Sequence, residues 1–347
     1  MDKLKVAVLM GGLSSERAVS LSTGRMILES LDREKYDVMP VDAALFSGSA
    51  MRTLPGSDTQ VAAIADAETA LAKVGPLRSI TDMTPSNGSR KVDVAFIALH
   101  GRYGEDGTIQ GMLELLGISY TGSGVMASAL AMDKIACKRM LRAVGVPVPE
   151  SVDIVHRSEL WKRDIVAEVR PLGYPVMVKP SRQGSTIGMS RVDVEDKLVQ
   201  AVEEAFRFDS QVLIEQFVYG TEITVGVLGN CDLQVLPIVE IVPAKGFYDY
   251  EAKYTPGATE EIVPARIPEV AAERARECAV AAHRALGCRG MSRVDMIVTS
   301  DNDVVVLEVN TIPGMTPTSL LPTAAKAAGI EFSKLLDRLI ELALEEE

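Results

Sequence analysis

The stretch Val305-Val306-Leu307-Glu308-Val309-Asn310-Thr311-Ile312-Pro313-Gly314-Met315-Thr316 constrains this chain more than any other. Three apolar residues predict a buried strand, and a carboxylate and a carboxamide follow at i and i+2. Alternate strand residues share a face, so Glu308 and Asn310 aim their oxygens at one place. Upstream, Arg293-Val294-Asp295-Met296-Ile297-Val298 repeats the pattern with a cation and a carboxylate two apart. Between them, Ser300-Asp301-Asn302-Asp303 reads as a hairpin turn. Asp295, Glu308 and Asn310 are therefore expected to meet on neighbouring strands. Oxygen-only ligands suit a hard cation such as Mg²⁺. Scattered acids at strand edges would account for any one of these residues. Three oxygen donors and an arginine on two paired strands point instead to a metal–phosphate site.

The chain has 347 residues, and at about 150 residues per domain it should divide into two or three. Its net charge of −12 argues against a nucleic-acid partner, which needs a basic face. Nucleotide binding needs only a local cluster of cations and stays open. No run of about 18 apolar residues is present, so no membrane span is expected. The first residues, Met1 to Met10, meet Gly11-Gly12 before a signal-peptide core is long enough and read as a first strand. Cys137, Cys231, Cys278 and Cys288 lack metal spacing and read as reduced thiols of a cytoplasmic protein.

Strands at 4–10, 36–41 and 92–99, with a helix from about Glu16 to Leu31 capped by Ser14 or Ser15, predict a βαβ unit with a parallel sheet. GxGxxG is absent, which discounts a Rossmann site. Residues from about 43 to 90, rich in Ala, Ser, Thr and Gly, read as a surface insertion, part helix and part mobile loop. His100 to Gly107 is a tight glycine loop leading to a helix at 108–116. Helices follow around 125–130 and 134–144. A strand at 174–180 ends in Lys179 and runs into Ser181-Arg182-Gln183-Gly184-Ser185-Thr186-Ile187-Gly188. Glycines and hydroxyls there offer backbone N–H groups to phosphate oxygens, although GxxxxGK[ST] is absent, so this is no P-loop. A helix at 194–206 and a strand at 212–215 lead to Glu215-Gln216-Phe217-Val218, a connector whose backbone could pair with an adenine edge. Glu222 could take ribose hydroxyls. Strands at 222–228 and 233–240 precede a polar, Tyr-rich loop at 243–261. A helix at 270–286 and the two acidic strands follow, and helices at 318–328 and 332–344 close the chain.

Eight blocks then appear in order: Met10-Gly11-Gly12-Leu13-Ser14-Ser15-Glu16-Arg17, Ala98-Leu99-His100-Gly101, Tyr120-Thr121-Gly122-Ser123-Gly124, Met132-Asp133-Lys134, Val178-Lys179-Pro180-Ser181, Phe247-Tyr248-Asp249-Tyr250-Glu251-Ala252-Lys253-Tyr254, Arg293-Val294-Asp295, and Glu308 to Thr316. Together they closely resemble the D-alanine–D-alanine ligases, ATP-grasp enzymes of cell-wall synthesis. The resemblance spans nearly the whole chain outside the insertion. It implies an α/β, three-domain ATP-grasp architecture. An N-terminal parallel-sheet substrate domain would occupy 1–122, a central ATP-grasp domain 123–215, and a C-terminal ATP-grasp domain with metal site and closing loop 216–347.

The same resemblance implies the roles. Lys134 and Lys179 hold ATP phosphates, Glu215, Gln216, Phe217 and Val218 cradle adenine, and Glu222 binds ribose. Lys253 reaches the γ-phosphate when its loop closes. Asp295, Glu308 and Asn310 hold two Mg²⁺ ions, with Mn²⁺ as a substitute. Glu16 pairs with the ammonium of the first D-alanine, with His100 nearby, and Ser185 and Tyr254 link that site to two loops. Arg293 and the N–H of Gly314 face the oxyanion, and Ser319 and Leu320 receive the second carboxylate. A cytoplasmic homodimer acting on D-alanine and ATP is implied. Gln183 stands where the family often has Glu, and Thr186 where Ser is common. Two other readings compete: a related ligase joining D-alanine to D-lactate, and a nucleotide-binding regulatory module without turnover.

Overall fold

The computed structural model describes residues 3–45, 64, 66–69, 71, 76–83, 91–155, 161–184, 186–243 and 259–345. The first unit runs β1 (Leu4–Met10), α1 (Arg17–Ser30), β2 (Tyr36–Asp42), β3 (Arg78–Ser79), β4 (Val94–Ile97), α2 (Thr108–Leu115) and β5 (Ser119–Tyr120). Among the described residues its strands form a parallel sheet in the order β3-β2-β1-β4-β5. Val6 to Met10 are wholly buried, as a central parallel strand covered on both faces must be. The strand period then sorts them. Val6, Val8 and Met10 pack with Leu21 and Ile27 of α1, while Ala7 and Leu9 pack with Ile109 and Leu113 of α2.

The second unit runs α3 (Val125–Met132), α4 (Lys134–Ala143), β6 (Ser151–Val155), α5 (Trp161–Val169), β7 (Val176–Pro180), β8 (Ser190–Val192), α6 (Leu198–Ala205) and β9 (Gln211–Gln216). Its antiparallel sheet has the order β6-β9-β7-β8 and is covered by α5 and α6 through Ile165, Val169, Leu198 and Val202.

The third unit runs β10 (Thr221–Leu228), β11 (Gln234–Val235), β12 (Val239–Pro243), β13 (Thr259–Ile262), α7 (Glu269–Leu286), β14 (Met291–Val298), β15 (Val304–Asn310), α8 (Leu320–Ala327) and α9 (Phe332–Leu344). Its sheet has the order β13-β12-β10-β14-β15, with β11 on β10. Alanines 271, 275, 279 and 282 line the buried stripe of α7 against it, letting the helix approach the strands closely.

Four expectations need amendment. No serine side chain caps α1: Glu16 is its N-cap residue. The Ser14 hydroxyl instead donates to the His100 carbonyl (2.6 Å) and accepts from the Glu16 amide (3.2 Å), so a link across strands displaces the local cap. The strand expected at 233–240 is broken at 236–238, where Pro237 has no N–H for a ladder. Part of the polar loop, Thr259–Ile262, is a strand paired with β12. The insertion is not only surface: Leu71 is buried, and Ile64, Ala67 and Leu77 pack beside it on the first sheet's core.

Core packing also crosses the linear order. Leu335, Leu336, Leu339 and Ile340 of the C-terminal helix α9 belong to the cluster under β1. Lys35, just before β2, lies 2.6 Å from Asp337 on α9. The end of the chain thus completes the core of its beginning.

Candidate active site

Strands β14 and β15 pair Arg293 with Asn310 and Asp295 with Glu308, which is the juxtaposition the hairpin spacing predicts. The register then shifts, because Met296 faces Val306. Leu307 is left over as a β-bulge. On the other side β10 sets Thr224 opposite Asp295. Thr224 Oγ1 donates to Asp295 Oδ1 (2.5 Å). Arg293 grips both carboxylate oxygens through Nε and Nη2 (2.9 and 2.8 Å), and Asn310 Nδ2 donates to Oδ2 (3.1 Å). Asp295 is thereby oriented from three sides. Glu222, two residues before Thr224 on β10, shares its face.

Across the cleft, Lys179 near the end of β7 lies 2.6 Å from Glu215 Oε2 on neighbouring β9. Glu215 Oε1 lies 2.6 Å from Lys138 Nζ of α4. Burial alone would raise the Glu215 carboxyl, but Lys138 and Lys179 outweigh it and hold the group at about 2. Burial likewise works against the Lys179 ammonium, yet Glu215 shifts it upward. Helix α4 is tied to the loop that follows β7. Its N-cap Asp133 accepts from the Ile135 and Ala136 amides (3.1 Å each) and from Ser181 Oγ (2.8 Å). Lys134 Nζ donates to the Gln183 carbonyl (2.6 Å).

The first unit supplies the third wall. Glu16 and His100 are buried, and His100 Nε2 sits 3.2 Å from Thr23 Oγ1. Burial, then the charge of Arg293, lowers the imidazole to about 4, so it is neutral at physiological pH. The Gly101 amide donates to Glu105 Oε2 (2.6 Å), and burial, then the charge of Glu16, pushes the Glu105 carboxyl up to about 8. Arg17 beside Glu16 is anchored on Asp42 (3.0 and 2.8 Å) and on Glu68 of the insertion (2.8 Å).

Two smaller features complete the cleft. Ser319 is the N-cap of α8, and its Oγ accepts from the Thr316 amide (3.2 Å). Gly314 lies against it: a Cβ there would be 3.0 Å from Ser319 Oγ. The first N–H groups of α8 have no carbonyl four residues back and favour an anion. At the opposite end Phe217 meets Tyr219 edge-on at 4.8 Å, and the Arg191 guanidinium lies 4.5 Å over the Phe217 ring.

All these walls face one cleft of about 1230 Å³. Every described residue singled out from the sequence lines it: Glu16, His100, Lys134, Lys179, Glu215, Gln216, Phe217, Val218, Glu222, Arg293, Asp295, Glu308, Asn310, Gly314, Ser319 and Leu320. Ser185, Lys253 and Tyr254 lie outside the described residues. Sequence reasoning missed Lys138, Glu105 and Thr224. Lys138 was signalled by its i+4 spacing from Lys134 on one helix face, and Thr224 by its i+2 spacing from Glu222. Glu105 carried no signal beyond its glycine-rich loop.

Comparison with known proteins agrees with this geometry. Residues 5–123 match the family described as D-ala D-ala ligase N-terminus, and residues 140–341 the one described as D-ala D-ala ligase C-terminus. The D-alanine–D-alanine ligase of Syntrophobacter fumaroxidans is 49% identical over 99% of both chains. That of Pelotomaculum thermopropionicum is 46% identical, covering 99% of this chain and 97% of its own. Among solved structures, the VanG D-Ala:D-Ser ligase from Enterococcus faecalis superposes with a TM-score of 0.79 at 33% identity, over 99% of this chain and 100% of that one. The D-alanine–D-alanine ligase from Bacillus anthracis complexed with ATP gives 0.75 at 35% identity, over 98% and 97%. With its acidic hairpin, buried lysines and first-unit wall meeting in one cleft, and with both halves matched, this chain belongs to the D-alanine–D-alanine ligase family.

Proposed function

We infer that the protein joins two D-alanine molecules into D-alanyl-D-alanine at the expense of ATP, passing through a D-alanyl phosphate, for peptidoglycan precursors. The observation that carries this reading is the convergence of the sixteen residues named above on a single cleft. Anion-binding, cation-binding and ammonium-binding groups face one another there, as a reaction between a carboxylate and a nucleotide requires.

The donor set fits a hard divalent cation. Asp295, Glu308 and Asn310 offer only oxygens toward a metal once the Asn310 nitrogen is turned to Asp295. Asp295 already accepts four hydrogen bonds, about its full lone-pair capacity, so a cation there must replace one of them. Among the described residues no three His, Cys, Asp or Glu side chains are grouped so as to hold a metal ion by themselves. The carboxamide of Asn310 is therefore needed to complete the set. Mg²⁺, or Mn²⁺ in its place, would neutralise charge on the transferring phosphoryl group.

The chain's own groups do the rest. Lys134 and Lys179 set positive charge against the phosphates, and the 215–218 segment and Glu222 take adenine and ribose. Glu16 holds the ammonium of the first D-alanine, and neutral His100 beside it adds no opposing charge. Arg293 and the Gly314 N–H stabilise the oxyanion formed when the second amine attacks; one such donor is typically worth about 2.7–4 kcal/mol. Ser319 and the α8 N-terminus hold the second carboxylate. Lys253 serves the γ-phosphate, and Ser185 and Tyr254 join the substrate site to its loops. The division at 1–122, 123–215 and 216–347 puts the first substrate on the first segment, the nucleotide between the second and third, and the metal on the third. A homodimer in the cytoplasm, where ATP is supplied, completes the reading; among the described residues no helix is long and apolar enough to cross a membrane.

The test is phosphate release with ATP, Mg²⁺ and D-alanine, run beside L-alanine. D-alanine-dependent release with dipeptide formation is expected, with very little from L-alanine. Equal rates for the enantiomers would sink the assignment. Release only with D-alanine plus D-lactate would favour the depsipeptide reading, and no release a regulatory module.

A further inference from the structure

Lys138 is a buried cation beside the cleft. Its side chain is 3% exposed, and it does not line the cleft, although Lys134, Lys179 and Glu215 do. Burying an ammonium is expensive: a well-packed apolar residue of similar volume is often neutral or better for stability. A lysine here needs a reason beyond packing.

Its surroundings supply one. Glu215, 2% exposed, is shared between two ammonium groups at 2.6 Å each, Lys138 on Oε1 and Lys179 on Oε2. Lys138 Nζ also donates to the Leu307 carbonyl (3.1 Å). Leu307 is the bulged residue of β15 and directly precedes Glu308. The bulge therefore frees a carbonyl for Lys138 just where the acidic strand enters the cleft. One ammonium thus touches the strand that carries Glu215 and the strand that carries Glu308, from the helix that begins at Lys134.

The charge count matters as much as the bracing. Lys179 and Glu215 alone would form a neutral pair, and the carboxylate would hold Lys179 for itself. Burial works against the Lys138 ammonium and the Glu215 carboxylate favours it; with that ammonium on the other oxygen, the triad carries a net charge of +1, and part of it faces the cleft at Lys179.

We propose that Lys138 is a positioning residue for phosphate binding: it occupies half of Glu215, so that Lys179 keeps positive charge for the nucleotide phosphates, and it braces Leu307 beside Glu308. This rests on reading the cleft as an ATP site. Lys138 reaches no substrate and takes no part in bond making.

The experiment measures binding of ATP, ADP and adenosine by calorimetry, and KM for D-alanine, in wild type, Lys138→Met, Lys138→Arg and the double variant Lys138→Met/Glu215→Gln. Removing one unit charge next to a phosphate site should weaken ATP by ~10- to 100-fold at an effective dielectric of about 20. ADP should lose less, and adenosine and the D-alanine KM should be unchanged. Lys138→Arg keeps the charge and should rescue most of the ATP affinity. The double variant returns the site to +1 but also alters the adenine wall at Glu215, so its ATP affinity is read relative to its adenosine affinity, and that ratio should lie within roughly threefold of wild type. Equal losses for ATP and adenosine in Lys138→Met, or a double variant whose ATP-to-adenosine ratio is no better than that of the single one, overturn the proposal. Should Lys138→Met fail to fold, the double variant decides alone, and a fall in that ratio above about tenfold overturns it. Wild type that binds ATP beside an unaffected Lys138→Met overturns the triad only; wild type that binds no nucleotide overturns the ATP reading with it.

Discussion

Replacing Gly101 by alanine tests whether Glu16 holds substrate. Gly101 has φ +71°, and an added Cβ would lie 2.5 Å from Glu16 Oε2 and 3.2 Å from the Ser14 Cβ. The closest comfortable carbon–oxygen approach is about 3.3 Å, so the carboxylate must withdraw by roughly 0.8 Å. It has little room to do so: a Cβ at Gly184 would already be 3.0 Å from the same oxygen, so Glu16 is held between two bare backbones. A misplacement of about 1 Å at a substrate-positioning group can cost about 100-fold. We expect kcat/KM for D-alanine to fall ~30- to 100-fold, or about 2–3 kcal/mol of transition-state stabilisation, with ATP binding unchanged. The left-handed backbone itself costs an alanine about 1–2 kcal/mol of stability. Gly117→Ala isolates that part, because Gly117 has φ +65° and nothing within 4 Å of an added Cβ. Steady-state kinetics and urea unfolding of both variants provide the comparison. If Gly101→Ala stays within about threefold of wild type, or Gly117→Ala loses as much activity, Glu16 is not the group that positions the first substrate.

Glu308→Gln removes one negative charge from the acidic hairpin; Mg²⁺-dependent turnover should be almost lost, and normal turnover at ordinary Mg²⁺ would rule out the metal site. His100 gives a pH signature. Its native value near 4 lies below the ordinary 6.5, so the native state binds fewer protons between them, and stability is fully present above pH 6.5 and falls as pH drops toward 4. The loss should reach about 3 kcal/mol in urea titrations, and His100→Asn should flatten that limb; an unchanged limb would mean that the imidazole is not buried neutral.

Local patterns were sufficient wherever the partners are near in sequence. Period-two spacing and a polar turn put Arg293, Asp295, Glu308 and Asn310 on one face of one hairpin, and the ladder pairs them so. Apolar periodicity likewise located β1, β2 and α9, because it records which face of a segment must leave water. It does not record which other face will cover it. Only the tertiary structure decides that α9 closes the sheet built by β1, that Ser14 spends its hydroxyl on His100 rather than on a helix cap, and that Leu307 bulges. It alone brings Lys138 and Lys179 to opposite oxygens of Glu215. Three charges far apart in the chain share a site that neither propensity nor spacing encodes, because what holds them together is mutual neutralisation in a place from which water is excluded.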